Sequence, residues 1–298
     1  MEKVHYAGWE NCYRLANNQI ELIITADVGP RIIRFGFTGG KNMFKEYPDQ
    51  VGVTQSDEFL IFGGHRLWHA PEAIPRTYYP DLEHVLIQET DHGLMATQKP
   101  EPTTGLQKQI EIMISPDQPE VRLTHRLINH NFWAIETAPW ALSVMATGGT
   151  AILPLPPRGP HPEFILPTAT LSIWPYTNLG DPRWTLGERF LLLRQNENIS
   201  SPQKIGIFAP DGWAAYANYD CLFIKQIAIQ FEGEYPDLGA NFEAFTNETM
   251  LELESLGPIE AIPPKGHIEH QEHWRLIRDV PAPNSDSDVI ESILPHLT

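Results

Sequence analysis

Cysteine is scarce in this sequence. Cys12 and Cys221 are the only two among 298 residues, and neither belongs to a CxxC pair or to a Cys/His spacing typical of zinc sites. Two thiols so far apart in sequence fit a reducing compartment better than a disulfide framework. We therefore expect free cysteines, no metal and no cofactor.

Basic residues and long apolar runs are also few. The chain has 21 Lys and Arg against 38 Asp and Glu, a formal charge of −17, and it has no dense basic stripe. A nucleic-acid partner is therefore not expected. No segment approaches the roughly 18 uninterrupted apolar residues of a membrane span, and no basic start followed by an apolar run marks a signal peptide. We expect no membrane association and a cytoplasmic location.

The signatures of two large enzyme classes are missing. The sequence contains no GxSxG motif, no P-loop and no GxGxxG motif. The first motif exposes the nucleophile of many hydrolases, and the other two cradle phosphates of nucleotides. Neither class therefore has support from sequence.

Short segments of alternating polarity dominate the chain. QIELIITA, PRIIRFGF, EVRLTHRLIN and TMLELES all follow the period of two that is typical of strands. The 27 prolines and 21 glycines separate these segments and leave little room for helices. The pattern predicts an all-β protein with less than about one-fifth helix, built from two large twisted sheets or a barrel.

No change in composition marks a linker before the last residues. We expect one domain over residues 1–280 and a tail over residues 281–298, PAPNSDSDVIESILPHLT. The Ser, Asp and Pro run predicts a loose segment, in which the last residues form at most a short helix.

The stretch GGHRLWHAPE, residues 63–72, concentrates His65, Arg66, Trp68 and His69 after two glycines. One interpretation is a glycine turn that leads into a half-buried segment whose polar side chains face water. The other is a binding site, because loops on a rigid scaffold often carry function. We predict that this stretch lines the main concave pocket.

Two carboxylates share one face of the predicted strand in TMLELESLGP, residues 249–258. Glu252 and Glu254 alternate with leucines, so they point the same way, about 7 Å apart. They either point to solvent on an outer face or line a concave sheet. In the second case, burial and mutual repulsion would raise the pKa of one of them toward the range of a general base.

Trp68, Trp140 and Trp174 lie beside proline or histidine, away from regular apolar patterns. Aromatic faces with a polar rim suit the apolar C–H face of a pyranose ring. Ordinary packing in the core is the alternative for each of them.

Three histidines, His267, His270 and His273, occur at a spacing of three in HIEHQEHW. That spacing would align metal ligands on a helix. The segment alternates like a strand, however, and a strand puts His270 and His273 on opposite faces. A metal site is therefore not favoured here.

Several separated stretches together resemble the galactose mutarotase-like proteins of the aldose 1-epimerase superfamily. The matching stretches run from about residue 22 to residue 277, and we interpret the chain as a side branch of that superfamily. They are DVGPRIIRFGFTGGKNMF, GGHRLWHAPE, LINHNFWAIETAPWAL and FEAFTNETMLELESLGP followed by IPPKGHIEHQEHWRL.

The resemblance implies a β-supersandwich with a sugar site on a concave face of one sheet. It places Glu254 where the family has its base, with Glu252 as the fallback. Where aldose 1-epimerases have His-Pro-Tyr-Phe, this chain has residues 138–141, Ala-Pro-Trp-Ala, so the usual acid is missing. We expect His69 or His65 to replace it, with the following substrate-binding candidates: Arg66, Trp68, Trp140, Glu252, Lys225, Asp237 and Glu243.

Three functions remain open from the sequence. The first is anomer interconversion by Glu/His acid-base catalysis, in which one group takes the proton of the anomeric hydroxyl and another protonates the ring oxygen. The second is non-catalytic carbohydrate binding or sensing, and the third is another sugar-processing reaction such as a lyase. All three imply a small-molecule sugar or sugar derivative as the ligand, and the chain is expected to be a monomer or a homodimer.

Overall fold

The computed structural model describes residues 1–297. Strands make up 46% of the chain and helices 5%, which confirms the all-β prediction. Alternating burial explains the strands locally: along His267–Arg278, for example, buried and exposed residues follow each other with a period of two. Such a strand is stable only when its apolar side packs against another layer.

The structure has 21 strands. In chain order they are β1 Glu2–Tyr6, β2 Trp9–Ala16, β3 Ile20–Thr25, β4 Arg31–Phe37, β5 Gly64–Ala70, β6 Leu86–Thr90, β7 Gly93–Thr97, β8 Leu106–Ile114, β9 Glu120–Asn129, β10 Ile135–Met145, β11 Thr150–Pro154, β12 Leu171–Ile173, β13 Trp184–Leu186, β14 Phe190–Arg194, β15 Gln203–Ile207, β16 Trp213–Asn218, β17 Cys221–Ile227, β18 Phe242–Thr246, β19 Leu251–Leu256, β20 Glu260–Ile262 and β21 His267–Arg278.

The strands form two large antiparallel sheets. The first has the order β1-β2-β3-β4-β5-β10-β19-β18-β15-β12, and β20 pairs with β10 beside it. The second has the order β13-β14-β11-β16-β17-β21-β9-β8-β7-β6. The main core lies between them, and it includes Phe35 of the first sheet packed on Phe223 and Trp274 of the second, with ring centroids 5.7 and 5.4 Å away.

The C-terminal segment is packed on the second sheet. A helix spans Asp286–Ser292, where Ser285 accepts a hydrogen bond from a backbone N–H of the first turn, and a 3₁₀ turn spans Leu294–His296. Val289 and Ile293 are fully buried beside strand residues. The short helix of the sequence analysis is therefore present, but it is docked and not loose. Within residues 1–297 no helix is long and apolar enough to cross a membrane.

The sequence analysis treated GGHRLWHAPE as a loop, and this is wrong. Its residues Gly64–Ala70 form the central strand β5, which pairs with β4 and β10 and is buried on both faces. The glycines are needed at its start, because Gly63 and Gly64 have φ of 78° and 71° and a Cβ on Gly64 would lie 2.3 Å from the carbonyl oxygen of Ile32. All residues of this strand are buried, whereas a strand at the surface alternates buried and exposed residues.

Candidate functional site

The register of the central strands sorts the polar residues into two faces of the first sheet. On one face, Leu142 of β10 pairs with Arg66 of β5 and with Glu254 of β19. On the other face, Ser143 pairs with His65. We call the first face the outer face and the second, which looks into the core between the sheets, the inner face. Because side chains alternate along a strand, Arg66 and Trp68 lie outside while His65 and His69 lie inside.

A pocket of 430 Å³ lies on the outer face, within the size range of small-molecule sites. Four charged side chains line it, namely Arg66, Glu72, Lys204 and Glu252. Seven aromatic side chains line it as well, namely Phe59, Trp68, Tyr78, Trp140, Trp174, Tyr176 and Phe245. A depression of 420 Å³ at the edge of the sandwich, beside Arg14 and His92, contains no Trp, Tyr or Phe.

Glu252 is the carboxylate that reaches the pocket. Its Oε1 accepts a hydrogen bond from Nη2 of Arg66 at 3.1 Å, and its side chain is 10% exposed. Oε2 accepts no hydrogen bond from any residue between 1 and 297, and it is accessible from the pocket. Burial raises the pKa of Glu252; Arg66 opposes this shift and Glu254 adds to it.

Glu254 lies beneath the pocket and does not line it. Its Oε2 accepts hydrogen bonds from Nε1 of Trp140 at 2.7 Å and from Nζ of Lys204 at 2.9 Å. The residue is fully buried, and the Trp140 ring and the Lys204 ammonium, 4.7 Å apart, cover it. The position expected for the base is therefore closed to a ligand in this structure.

Glu243 and Asp237 complete an acidic cluster around Lys204. The Lys204 ammonium lies 2.7 Å from Oε2 of Glu243, and the charge of the Asp237 carboxyl contributes to raising the pKa of Glu243. Burial raises the pKa of both carboxyl groups. Burial lowers the pKa of Lys204, but Glu243 and Glu254 outweigh it and hold that pKa well above its ordinary value. Lys204 is thus kept charged by the carboxylates that it connects.

The structure does not bring His65 together with Glu254, because it lies on the inner face. Its Nε2 is 2.7 Å from Nε2 of His125, its Nδ1 is 2.9 Å from Oγ of Ser143, and Glu272 lies 3.6 Å away. Burial lowers the pKa of His65 well below its usual value. A neutral, fully enclosed imidazole on the far side of the sheet cannot contact a ligand in the pocket.

His69 and Lys225 also lie away from the pocket. His69 is 1% exposed on the inner face, and burial, with Lys108 nearby, lowers its pKa to about 3. Lys225 belongs to β17 of the second sheet and pairs with Glu272 at 3.0 Å. The sequence analysis expected both on the site face. His69 lies on the inner face because side chains alternate along β5, and Lys225 lies away from the site because β17 belongs to the opposite sheet.

His65, His125 and Glu272 approach each other closely enough to hold a metal ion, with ligand atoms within 4.8 Å. Glu272, however, already accepts hydrogen bonds from Ser255 and Trp274 and an ion pair from Lys225. The Lys225 charge balances the carboxylate, so a divalent cation would leave two positive charges uncompensated in the core. The group fits a hydrogen-bonded network better than a metal site.

The sequence analysis missed several pocket residues. Lys204 sits on β15, and only the strand order, which places β18 between β15 and β19, brings it beside Glu254. Tyr78 comes from the chain between β5 and β6, and its hydroxyl donates to Glu72, the last residue of the stretch 63–72 that was predicted to line the pocket. Trp174, considered as a stacking residue, lines the pocket, with its ring centroid 4.7 Å from Lys204 Nζ. Long-range pairing has no local signal in sequence, so periodicity alone could not find these contacts.

Comparisons with known proteins identify the fold. No protein-family profile and no curated sequence matches the chain. The Slr1438 protein of Synechocystis sp. PCC 6803 is similar in structure, with 10% identity, a TM-score of 0.60, and 93% of this chain and 99% of that chain covered. A galactose mutarotase-like protein from Lactobacillus casei has 9% identity, a TM-score of 0.58 and coverage of 90% and 100%.

A third similar structure, a "putative aldose 1-epimerase" from Klebsiella pneumoniae, has 12% identity, a TM-score of 0.61 and coverage of 98% of this chain and 84% of that chain. At such low identity the similarity establishes the fold alone. The sandwich of two large antiparallel sheets and these structural neighbours agree with the resemblance found in the sequence, and the chain has the galactose mutarotase-like fold.

Proposed function

We propose that this protein binds a carbohydrate in the aromatic pocket on the outer face of the first sheet. The observation that carries the proposal is Oε2 of Glu252, an unpaired acceptor on a side chain that is nine-tenths buried in the pocket. This oxygen is open to the pocket, so a hydroxyl of a ligand can take the place of water as its hydrogen-bond donor. Sugars supply several such donors within one ring.

The aromatic walls support the same ligand class. Trp68 and Trp140 are almost fully buried at the base of the pocket. The rings that remain available for stacking are the exposed Tyr176 and four half-buried ones, namely Phe59, Tyr78, Trp174 and Phe245. The apolar C–H face of a pyranose packs against such rings, while its hydroxyl groups reach polar groups at the rim. The names of the structural neighbours, which refer to galactose mutarotase and aldose 1-epimerase, are consistent with this ligand.

Anomer interconversion at the same site is a second candidate. It is favoured by Glu252, whose raised pKa and unpaired oxygen suit a carboxyl that takes and returns a proton. It ranks second for two reasons. No histidine among residues 1–297 lines the pocket, and the raised pKa of Lys204, the lysine of the pocket, makes its ammonium a poor proton donor. In this assignment Glu252 takes the role that the sequence analysis gave to Glu254.

Calorimetric titration of the parent and of Glu252→Gln with glucose, galactose, mannose and xylose tests the proposal. We expect at least one sugar to bind the parent and Glu252→Gln to weaken it about tenfold or more, because hydrogen bonds to charged groups contribute about 1.5–3 kcal/mol. Glu291→Gln, an exposed carboxyl on the C-terminal helix, is the matched control and should bind like the parent. Failure of the parent to bind any of these four sugars or the amino sugars derived from them would reject carbohydrate binding at this pocket.

Polarimetry on the sugar that binds separates the two candidates. Faster mutarotation with the parent, lost in Glu252→Gln, would establish anomer interconversion. Binding without any acceleration would leave the protein a carbohydrate-binding module.

A further inference from the structure

Both cations of the pocket are already neutralised by carboxylates. Arg66 pairs with Glu252 at 3.1 Å, and Lys204 pairs with Glu243 at 2.7 Å and Glu254 at 2.9 Å. Lys204 therefore forms ion pairs with two carboxylates, and each of the two pocket cations already has a carboxylate partner. A phosphate or carboxylate on a ligand would meet no free positive charge here.

The remaining charged side chain that lines the pocket is negative. Glu72 lines the mouth and receives the hydroxyl of Tyr78. Asp237 lies beside Glu243 on the Lys204 side, where its pKa responds to Lys204, Glu254 and Glu72. Five carboxyl groups thus stand against two cations. Even with Glu243 and Asp237 protonated, which their raised pKa favours, three carboxylates face two cations, so the potential in the pocket is negative and low-dielectric walls concentrate it.

Nitrogens that could bind an anion are covered. Nε and Nη1 of Arg66 and Nε1 of Trp68 have no hydrogen-bond partner, but these atoms are themselves buried. The Arg66 guanidinium lies over the Trp68 ring at 4.3 Å, which holds it against the base of the pocket. The polar atom that faces the ligand at this end is Oε2 of Glu252, an acceptor.

The aromatic rings of the pocket are suited to a cation as well as to a sugar ring. Nζ of Lys204 already lies 4.7 Å from the ring centroids of both Trp140 and Trp174, within the range of cation–π attraction. Phe59 and Tyr78, whose ring centroids are 5.3 Å apart, line the same pocket as Glu72 and Glu252, and the Tyr78 hydroxyl donates to Glu72. The pocket therefore offers an ammonium two carboxylates and further aromatic rings.

We propose that the pocket selects a sugar that carries a protonated amino group and discriminates against sugar phosphates and uronates. This inference rests on the proposed carbohydrate binding and names its ligand class. The ammonium would donate to Oε2 of Glu252, with Glu72 at the mouth completing its charge environment. The ring hydroxyl groups would occupy the rest of the pocket.

Three matched sugar pairs test the preference without assuming a stereochemistry: glucosamine with glucose, galactosamine with galactose and mannosamine with mannose. At pH 6 and low salt, we expect the amino sugar of at least one pair to bind about fivefold or more tightly than its neutral partner, because its ammonium adds an attraction between opposite charges to the hydrogen bond that a hydroxyl already makes with Glu252. Glucose 6-phosphate and glucuronate should bind more weakly than glucose. The preference should shrink in 0.5 M NaCl, because salt screens the mouth carboxylate.

Glu72→Gln isolates the charge contribution, because Glu72 is exposed and its substitution leaves the packed base of the pocket intact. We expect it to reduce the ratio between amino and neutral sugar affinities, with Glu291→Gln as the control that preserves the ratio. Equal affinities within every pair, or tighter binding of glucose 6-phosphate or glucuronate than of glucose, would overturn the inference while carbohydrate binding stands. Failure of all these sugars to bind would reject the underlying function instead.

Discussion

The inner and outer faces of β5, β10 and β19 each hold a polar cluster, and the two clusters differ in how fully their carboxylates are paired. His69, also on the inner face, belongs to neither cluster, and in residues 1–297 its ring nitrogens have no hydrogen-bond partner. On the inner face, Glu272 of the second sheet receives Ser255, Lys225 and Trp274, and both of its oxygens are occupied. On the outer face, Oε1 of Glu254 is buried without a partner and Oε2 of Glu252 opens into the pocket. A complete network stabilises a core, whereas an incomplete one beside a cavity leaves room for a ligand.

Hydrogen-bond directions in the inner network can be assigned throughout. His125 must donate from Nδ1, because its partner is the backbone carbonyl of His270 at 3.0 Å. As a neutral ring it then accepts at Nε2, so His65 donates from Nε2 and accepts from Ser143 at Nδ1. Ser255 gives its proton to Glu272 and accepts from Nε2 of His270. This network therefore needs no ligand, and its role is structural.

The largest expected effect follows from removing the cation of the inner network. Lys225→Met leaves the Glu272 carboxylate unpaired in the core, so the free energy of unfolding in urea should fall by about 3–5 kcal/mol. Adding Glu272→Gln to Lys225→Met removes the unpaired charge and should restore at least about 1 kcal/mol. A single-variant loss below about 1 kcal/mol would show that water reaches Glu272 and that the inner face is not closed.

The two faces should also respond to pH in opposite directions. Burial lowers the pKa of His270 to about 3, so below pH 6.5 the unfolded chain takes up a proton that the folded chain refuses. Folded stability then decreases as the pH falls, by about 2 kcal/mol between pH 6.5 and 5 from this residue. Glu252 has the opposite effect, because its pKa is raised in the folded state. The folded state therefore gains stability as the pH falls from above the folded pKa of Glu252 to the lower pKa that this residue has in the unfolded chain.

Urea unfolding at pH 5, 6 and 7 measures this difference. His270→Gln keeps a donor for Ser255 and should remove about 2 kcal/mol of the loss between pH 6.5 and 5. His161→Gln, exposed between β11 and β12, is the matched control and should leave the pH dependence unchanged. Identical slopes for His270→Gln and the parent would mean that His270 is protonated within the folded protein at pH 5.

Period-two alternation was sufficient to predict the sheets and the shared face of Glu252 and Glu254, since both are local properties of one strand. The same alternation, applied to β5, would have separated His65 and His69 from Arg66 and Trp68. That separation was missed because the glycines suggested a loop. Strand order is the second property that periodicity does not predict. Lys204, and not Lys225, pairs with Glu254 because of the order of strands in the first sheet, and that order depends on long-range packing that no short sequence window contains.

The smallest expected effect distinguishes the two glutamates of the outer face. Glu254→Gln retains an oxygen for Nε1 of Trp140, and Lys204 still pairs with Glu243, so sugar affinity should stay within about threefold of the parent, or about 0.6 kcal/mol. Glu252→Gln, one pleat away on the same strand, should lose about tenfold or more. If Glu254→Gln loses as much as Glu252→Gln, the ring of Trp140 and the ammonium of Lys204 must move aside when sugar binds, and the base position implied by the family resemblance would become accessible. In that case mutarotation should fall by about 10²–10⁴ in Glu254→Gln; with the cover closed, as the contacts of Trp140 and Lys204 indicate, it should not change.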